Sequence, residues 1–197
     1  MTSKEMEKKY RLTDETMKLW RFTLHRIEAI RDFGDVKAGD KGGWIEKERN
    51  LSHEGTCWIG DNAKVYDDAR VSENAKVLES GEVYGITAVC GNVVVCGKAK
   101  VGDAGWLGGG AIICGDVIIH SLKDYIVFKN WWSSGRYFTW TRSNNMWRVG
   151  CFYGTGEALI KKAYKDSKKS GREYKRIVRY VEKILKADGK QERRRKQ

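Results

Sequence analysis

Proline is absent from this chain, and histidine occurs only at His25, His53 and His120. Without proline, nothing in the sequence interrupts a ladder of backbone hydrogen bonds. The five cysteines (Cys57, Cys90, Cys96, Cys114 and Cys151) are odd in number and contain no CxxC pair, so neither a disulfide framework nor a zinc site is indicated. No apolar run approaches the roughly 20 residues of a membrane span. Met1 to Arg11 is charged and lacks the apolar segment of a signal peptide, so a cytoplasmic protein without membrane contact is expected. Walker loops, GxGxxG, HExxH, nucleophile elbows and paired carboxylates are all missing. No metal and no cofactor are expected.

What the chain has instead is a period. Ile59, Val65, Val71, Val77, Val83, Val89, Val95, Val101, Leu107, Ile113 and Ile119 fall six residues apart without a slip. Two residues before these sites stand small or β-branched residues such as Ala63, Ala69, Ala75, Gly81 and Thr87. Turn formers follow them, as in Gly60-Asp61-Asn62 and Gly91-Asn92. Six is no multiple of 3.6, which excludes an amphipathic helix, and a fixed period signals a repeat architecture. The inward pair of each hexad lies two residues apart, as strand pleating requires.

The period resembles the hexapeptide repeat of left-handed parallel β-helices, in which three hexads make one coil. That resemblance implies a mainly β fold in which residues 18 apart stack. Three aliphatic columns follow: Ile59/Val77/Val95/Ile113, Val65/Val83/Val101/Ile119 and Val71/Val89/Leu107. Ile45, Leu51 and Cys57 keep the spacing of six, but two residues out of register with Ile59, so the first coil is irregular. Cys96 and Cys114 would stack on neighbouring coils. A disulfide between them is conceivable, yet two free thiols are the expectation in a reducing cytosol.

The residues just before the interior aliphatics point outward. Early ones are polar (Lys64, Arg70, Lys76, Glu82), but later ones include Val94, Trp106, Ile112 and Ile118. Such an apolar wall calls for a cover. Either the C-terminal segment folds back over it, or another copy packs there as in the homotrimers typical of hexapeptide-repeat proteins.

Four segments follow: a leader with a short β segment over 1–44, the β-helix over 45–120, a small α+β appendage over 121–190, and a basic tail over 191–197. Met1 to Arg11 is expected to fray, and Leu19 to Phe33 to form a hairpin or strand pair. Asp124 to Asn130 reads as a strand, and Arg136 to Arg142 with Met146 to Phe152 as a hairpin. Thr155 is the expected N-cap of a helix running to about Lys168, with Glu157 in its first turn. Ser170-Gly171 is expected to break that helix, and Ala187-Asp188-Gly189 to end a second one. The second helix carries Tyr174, Ile177, Val178, Val181, Ile184 and Leu185 on one face at helical spacing.

The run GDVKAGDKGGWIEKERNLSHEGTCWIGDNAKVYDDARVSENAKV resembles a family of phage, prophage and bacterial hexapeptide-repeat proteins, over roughly Arg21 to Ile119. Many phage members also end in a small domain containing CFYGT, which stands here at Cys151 to Thr155. The resemblance implies architecture and a viral origin, hence a host cytoplasm, but supplies no established reaction.

Charge is unevenly placed. From Lys161 to Gln197 there are sixteen Lys/Arg against five Asp/Glu, whereas Ile59 to Ile119 holds five against eight. Arg172, Lys175, Arg176, Arg179, Lys183 and Lys186 would share one helix face, with Arg193, Arg194 and Arg195 beyond. This pattern fits phosphate neutralisation on a nucleic acid or an acidic host-protein surface. Trp131, Trp132 and Arg142 are candidates for stacking beside it. The leading expectation is therefore a trimeric, non-enzymatic binding protein, with the blunting of a host defence as the role that the phage resemblance implies. The alternative is an acyltransferase using an acyl-CoA donor, with His120 or His53 as general base. A further alternative is sequestration of a small anionic ligand such as a nucleotide between subunits.

Overall fold

The computed structural model describes residues 7–195, with side chains through Asp188. The parallel β-helix expected from the period is present. Strands of two or three residues stack into three walls, and the wall begun by Trp58–Ile59 is four strands deep. Ile59 pairs with Val77, Val77 with Val95 and Val95 with Ile113, each 18 residues on. The columns Val65/Val83/Val101/Ile119 and Val71/Val89/Leu107 stack the same way, and every member is buried. In the first coil Ile45 pairs with Val65 and Leu51 bridges to Val71, a separation of 20. The two extra residues sit in the loop ending at Cys57.

The corners explain the six-residue period. Two residues after each interior aliphatic from Ile59 to Ile113, the backbone is left-handed: Asp61, Asp67, Glu73, Glu79, Gly85, Gly91, Gly97, Asp103, Gly109 and Gly115 all have positive φ. At Gly97 a Cβ would stand 2.5 Å from the Gly115 nitrogen, so this close approach admits glycine alone. At three of the acidic corners the carboxylate accepts the N–H of the corner one coil on: Asp61 from Glu79, Glu73 from Gly91 and Glu79 from Gly97. These bonds offset part of the cost of left-handed backbone at a residue with a side chain.

Between coils, the solenoid's backbone N–H groups donate to carbonyls one coil further on, as from Gly60 to Val77 and from Leu78 to Val95. The two ends are therefore chemically opposite: the first coil has spare carbonyls and the last coil spare N–H groups. At the first, buried Lys9 places Nζ 3.2, 3.3 and 2.9 Å from the carbonyl oxygens of Glu54, Gly55 and Cys57. The Tyr10 hydroxyl lies 2.7 and 2.8 Å from those of Glu48 and Leu51. Burial pulls the Lys9 ammonium below its ordinary pKa. At the other end, acceptors close the ladder. Thr139 Oγ1 takes the Ile112 N–H at 3.0 Å, Ser143 Oγ that of Ile118 at 3.0 Å, and Asp124 Oδ2 that of His120 at 2.9 Å.

The appendage thus caps the end of the solenoid. Its four-stranded meander, Tyr125–Lys129, Tyr137–Thr141, Met146–Val149 and Phe152–Gly154, lies between the last coil and two helices, α1 (Gly156–Asp166) and α2 (Lys168–Arg195). Tyr125 and Val127 pack on the solenoid core, while Ile126 and Phe128 join Phe138, Trp140, Trp147, Leu159, Val178 and Val181 in a second core. The outward apolar residues expected to form one wall are divided among three: Val94 and Ile112 share the wall begun by Trp58–Ile59, whereas Trp106 and Ile118 stand on the other two. Trp106 stays 70% and Ile118 49% exposed in the single chain, and Val94 and Ile112 are half-buried.

Other expectations shift as well. The N-terminal segment expected to fray contains Lys9 and Tyr10, both fully buried, and opens β1 (Tyr10–Leu19). With β2 (Phe22–Ala29), β1 forms a hairpin that β3 (Lys41–Ile45) joins to the solenoid wall. β1 escaped sequence reading because its residues are largely exposed and do not alternate; backbone pairing along an edge holds it. The helix break falls at Ser167, the C-cap of α1, while Ser170 and Gly171 lie inside α2. Ala187-Asp188-Gly189 does not end α2, which continues to Arg195 through most of the expected tail. Cys96 and Cys114 stack on neighbouring coils as their spacing of 18 requires, with Cα atoms 4.6 Å apart.

Candidate nucleic-acid interface

The Thr155 hydroxyl caps α1 by accepting the Ala158 N–H at 3.3 Å. α1 then buries Leu159, Ile160 and Ala163. α2 sets Val178 and Val181 against the same core, flanked by Tyr174, Ile177 and Leu185. That amphipathic stripe fixes the helix rotation and turns the basic face outward.

Between the helices lies a groove of about 540 Å³ lined by Tyr164, Arg172, Lys175, Arg176, Arg179, Tyr180 and Lys183. Every lining residue is cationic or tyrosine. Arg179 is committed to Glu182 at 2.8 Å and to Glu157, and these carboxylates raise its pKa further. Arg176 pairs with Glu173 at 2.7 Å. Among the described residues Arg172, Lys175 and Lys183 make no ion pair.

Five expected site residues are therefore brought together: Arg172, Lys175, Arg176, Arg179 and Lys183. Lys186 is exposed on α2 but does not line the groove. The side chains of Arg193, Arg194 and Arg195 lie outside the described residues. Two expected stackers have structural work instead. Trp132 packs on Phe138 and Tyr174, and Arg142 is held by the Lys123 carbonyl at 2.8 Å and Asp188 at 2.9 Å. Trp131 is 84% exposed but lies outside the groove lining.

Sequence reading missed Tyr164 and Tyr180. The signal for Tyr180 was present: it stands four residues after Arg176 and three before Lys183, on the basic face rather than the apolar one. Tyr164 could not be placed without the packing of α1 on α2.

The histidines occupy three different settings. His25 lies in β2, paired with Thr16 and Ile45. His53 stacks on Tyr10, with ring centroids 4.3 Å apart. Its Nδ1 accepts the Lys9 N–H at 3.3 Å, so the neutral ring carries its proton on Nε2, 3.0 Å from Glu48. Glu48 is the orienting carboxylate that sequence reading did not find. Both nitrogens of His53 are engaged, which leaves no lone pair for a substrate proton. His120 is exposed, with its ring 6.3 Å from Tyr84 at the end of a stack formed by Phe22, Tyr66 and Tyr84. This stack borders a second groove of about 560 Å³, where Trp20 and Arg21 of the hairpin turn face Glu82 and Lys100. Burial and the Glu82 carboxylate push the Tyr66 and Tyr84 phenols upward, so both remain protonated donors.

No protein-family model matches this chain. Over 42 residues it is 52% identical to the uncharacterized acetyltransferase YdcK of Escherichia coli strain K12. The aligned stretch amounts to 21% of this chain and 13% of that protein. Together with the stacked solenoid, this partial similarity fits a hexapeptide-repeat protein.

Proposed function

We propose that this chain is a non-enzymatic nucleic-acid-binding protein in which the β-helix is a rigid spine and the α1–α2 groove grips phosphates. The observation that carries this reading is a groove walled by five cations and two tyrosines, in which Arg172, Lys175 and Lys183 make no ion pair among the described residues. Counterion release from phosphates gives such a surface its affinity. Copies packed through an exposed apolar side chain of one solenoid wall, such as Trp106, as in the trimers that the phage-type resemblance implies, would add avidity. A role in blunting a host defence is the biological extension of that resemblance. The test is binding of the full chain to labelled oligonucleotides across a salt series. Wild type should lose affinity steeply with salt. The triple variant Arg172→Ser, Lys175→Ser, Lys183→Ser should bind at least tenfold more weakly, with a log–log slope shallower by about 2 to 3. An unchanged slope would sink the reading.

Acyl transfer is the second reading, favoured by the stretch shared with a protein named as an acetyltransferase and by exposed His120 beside the aromatic groove. It requires acyl-CoA turnover that disappears in His120→Ala. Within it, His53 would be a positioning group for the first coil, since its ring nitrogens are already engaged.

A further inference from the structure

We infer that the α1–α2 groove is built for single-stranded nucleic acid, with Tyr164 and Tyr180 as the base-stacking platform. This inference rests on the nucleic-acid reading above and adds to it the class of strand and two residues that read it.

Cations alone would serve a duplex, which presents phosphates outward and hides its base faces. The groove contains more than cations. Tyr164 from α1 and Tyr180 from α2 line it together, 42% and 56% exposed, and neither hydroxyl makes a hydrogen bond among the described residues. Two half-exposed aromatic rings set among lysines and arginines suit a partner with flat, apolar faces and negative charge in the same molecule. An unpaired strand is such a partner, since each of its bases has a free face to stack on a ring.

The placement of Tyr164 has a specific cause. A Cβ on Gly171 would stand 2.3 Å from Tyr164 Cγ and 2.4 Å from Cδ1, so the ring lies directly on bare α2 backbone. Gly171 is buried beneath it and sits within the first turn of α2, where glycine costs helix stability. In return, the ring is clamped on one side and open to the groove on the other. Tyr180 is braced from below by Phe128 of the appendage sheet, with ring centroids 6.3 Å apart and planes at 77°. Glu157 and Glu182 are both held by Arg179, and Glu173 by Arg176, so these carboxylates repel a phosphate less.

The experiment uses the full chain and fluorescence anisotropy with a labelled 15-nucleotide single strand and the corresponding duplex, each over a salt series. Wild type should prefer the single strand by at least tenfold. Tyr164→Leu with Tyr180→Leu should weaken single-strand binding by about tenfold or more, the scale of losing one or two stacked bases. The salt slope should not change, because no cation is removed. Tyr164→Phe with Tyr180→Phe keeps both rings and should keep the affinity, and melting curves of both double variants check that each is folded. Gly171→Ala, which displaces the Tyr164 ring, should lose affinity in the same direction. Equal affinity for duplex and single strand, or leucine variants that bind like wild type, would overturn the stacking platform while leaving salt-dependent phosphate binding intact. Binding to neither oligonucleotide, including the case of a chain that binds only an acidic protein surface, would overturn both readings.

Discussion

The carboxylate of Glu79 accepts the backbone N–H of Gly97, 2.7 Å away and one coil further along. Both residues occupy left-handed corners, and Glu79 in turn donates its own N–H to Asp61 at 2.9 Å. Three corners are thereby tied into one vertical ladder along an edge of the solenoid.

Glu79→Ala should destabilise the protein by about 1 to 2 kcal/mol, because it removes the acceptor and keeps a Cβ in left-handed backbone. Glu79→Gly loses the same acceptor but relieves the backbone strain, so it should be the milder change. Denaturant unfolding of the two variants checks the order. A reversed order would mean that the corner conformation, unlike the bond, contributes nothing.

Lys9 plugs the carbonyl end of the solenoid through three main-chain oxygens. Lys9→Met retains the apolar stem but leaves those carbonyls unsatisfied, at a cost of about 1 to 3 kcal/mol. Amide hydrogen exchange should show the loss concentrated in β1 and the first coil.

Thr139→Val is nearly isosteric and removes the acceptor for the Ile112 N–H at the opposite end. A fall in stability of about 1 to 2 kcal/mol is expected. Faster exchange at Ile112 would locate the effect at the cap.

Glu48 titrates below its ordinary value of 4.5, chiefly through its hydrogen bond with Lys8 and also through His53. A carboxyl depressed in the folded state contributes stability that is present above the unfolded pKa and is lost as pH falls through the folded one. Glu48→Gln should therefore melt below wild type at pH 7, and the two curves should converge below about pH 4.5. A gap that stays constant down to pH 3 would show that the ion pair makes no difference to stability.

Much of the solenoid was legible because its rule is local. One aliphatic every six residues reports an inward strand position, and the two-residue offset of Ile45, Leu51 and Cys57 reported the 20-residue first coil. The basic face of α2 was legible for the same reason, from helical spacing alone. β1 was not, since an exposed edge strand has no hydrophobic pattern to display. The Ser170-Gly171 pair read as a breaker because glycine disfavours helix; its actual use, beneath the Tyr164 ring, depends on a second helix that local sequence does not describe.

The chain by itself determined the coil length, the identity of the core columns and the sign of charge at its C-terminus. These are periodic or compositional properties that each segment carries without reference to the rest. Tertiary structure alone decided that Lys9 and Thr139 close opposite ends of one ladder, that His53 has both nitrogens engaged, and that two tyrosines share a groove with five cations. The reason is distance along the chain. Lys9 reaches Cys57 across 48 residues and Thr139 reaches Ile112 across 27, so each partnership exists only after the solenoid has set the spacing between its two ends.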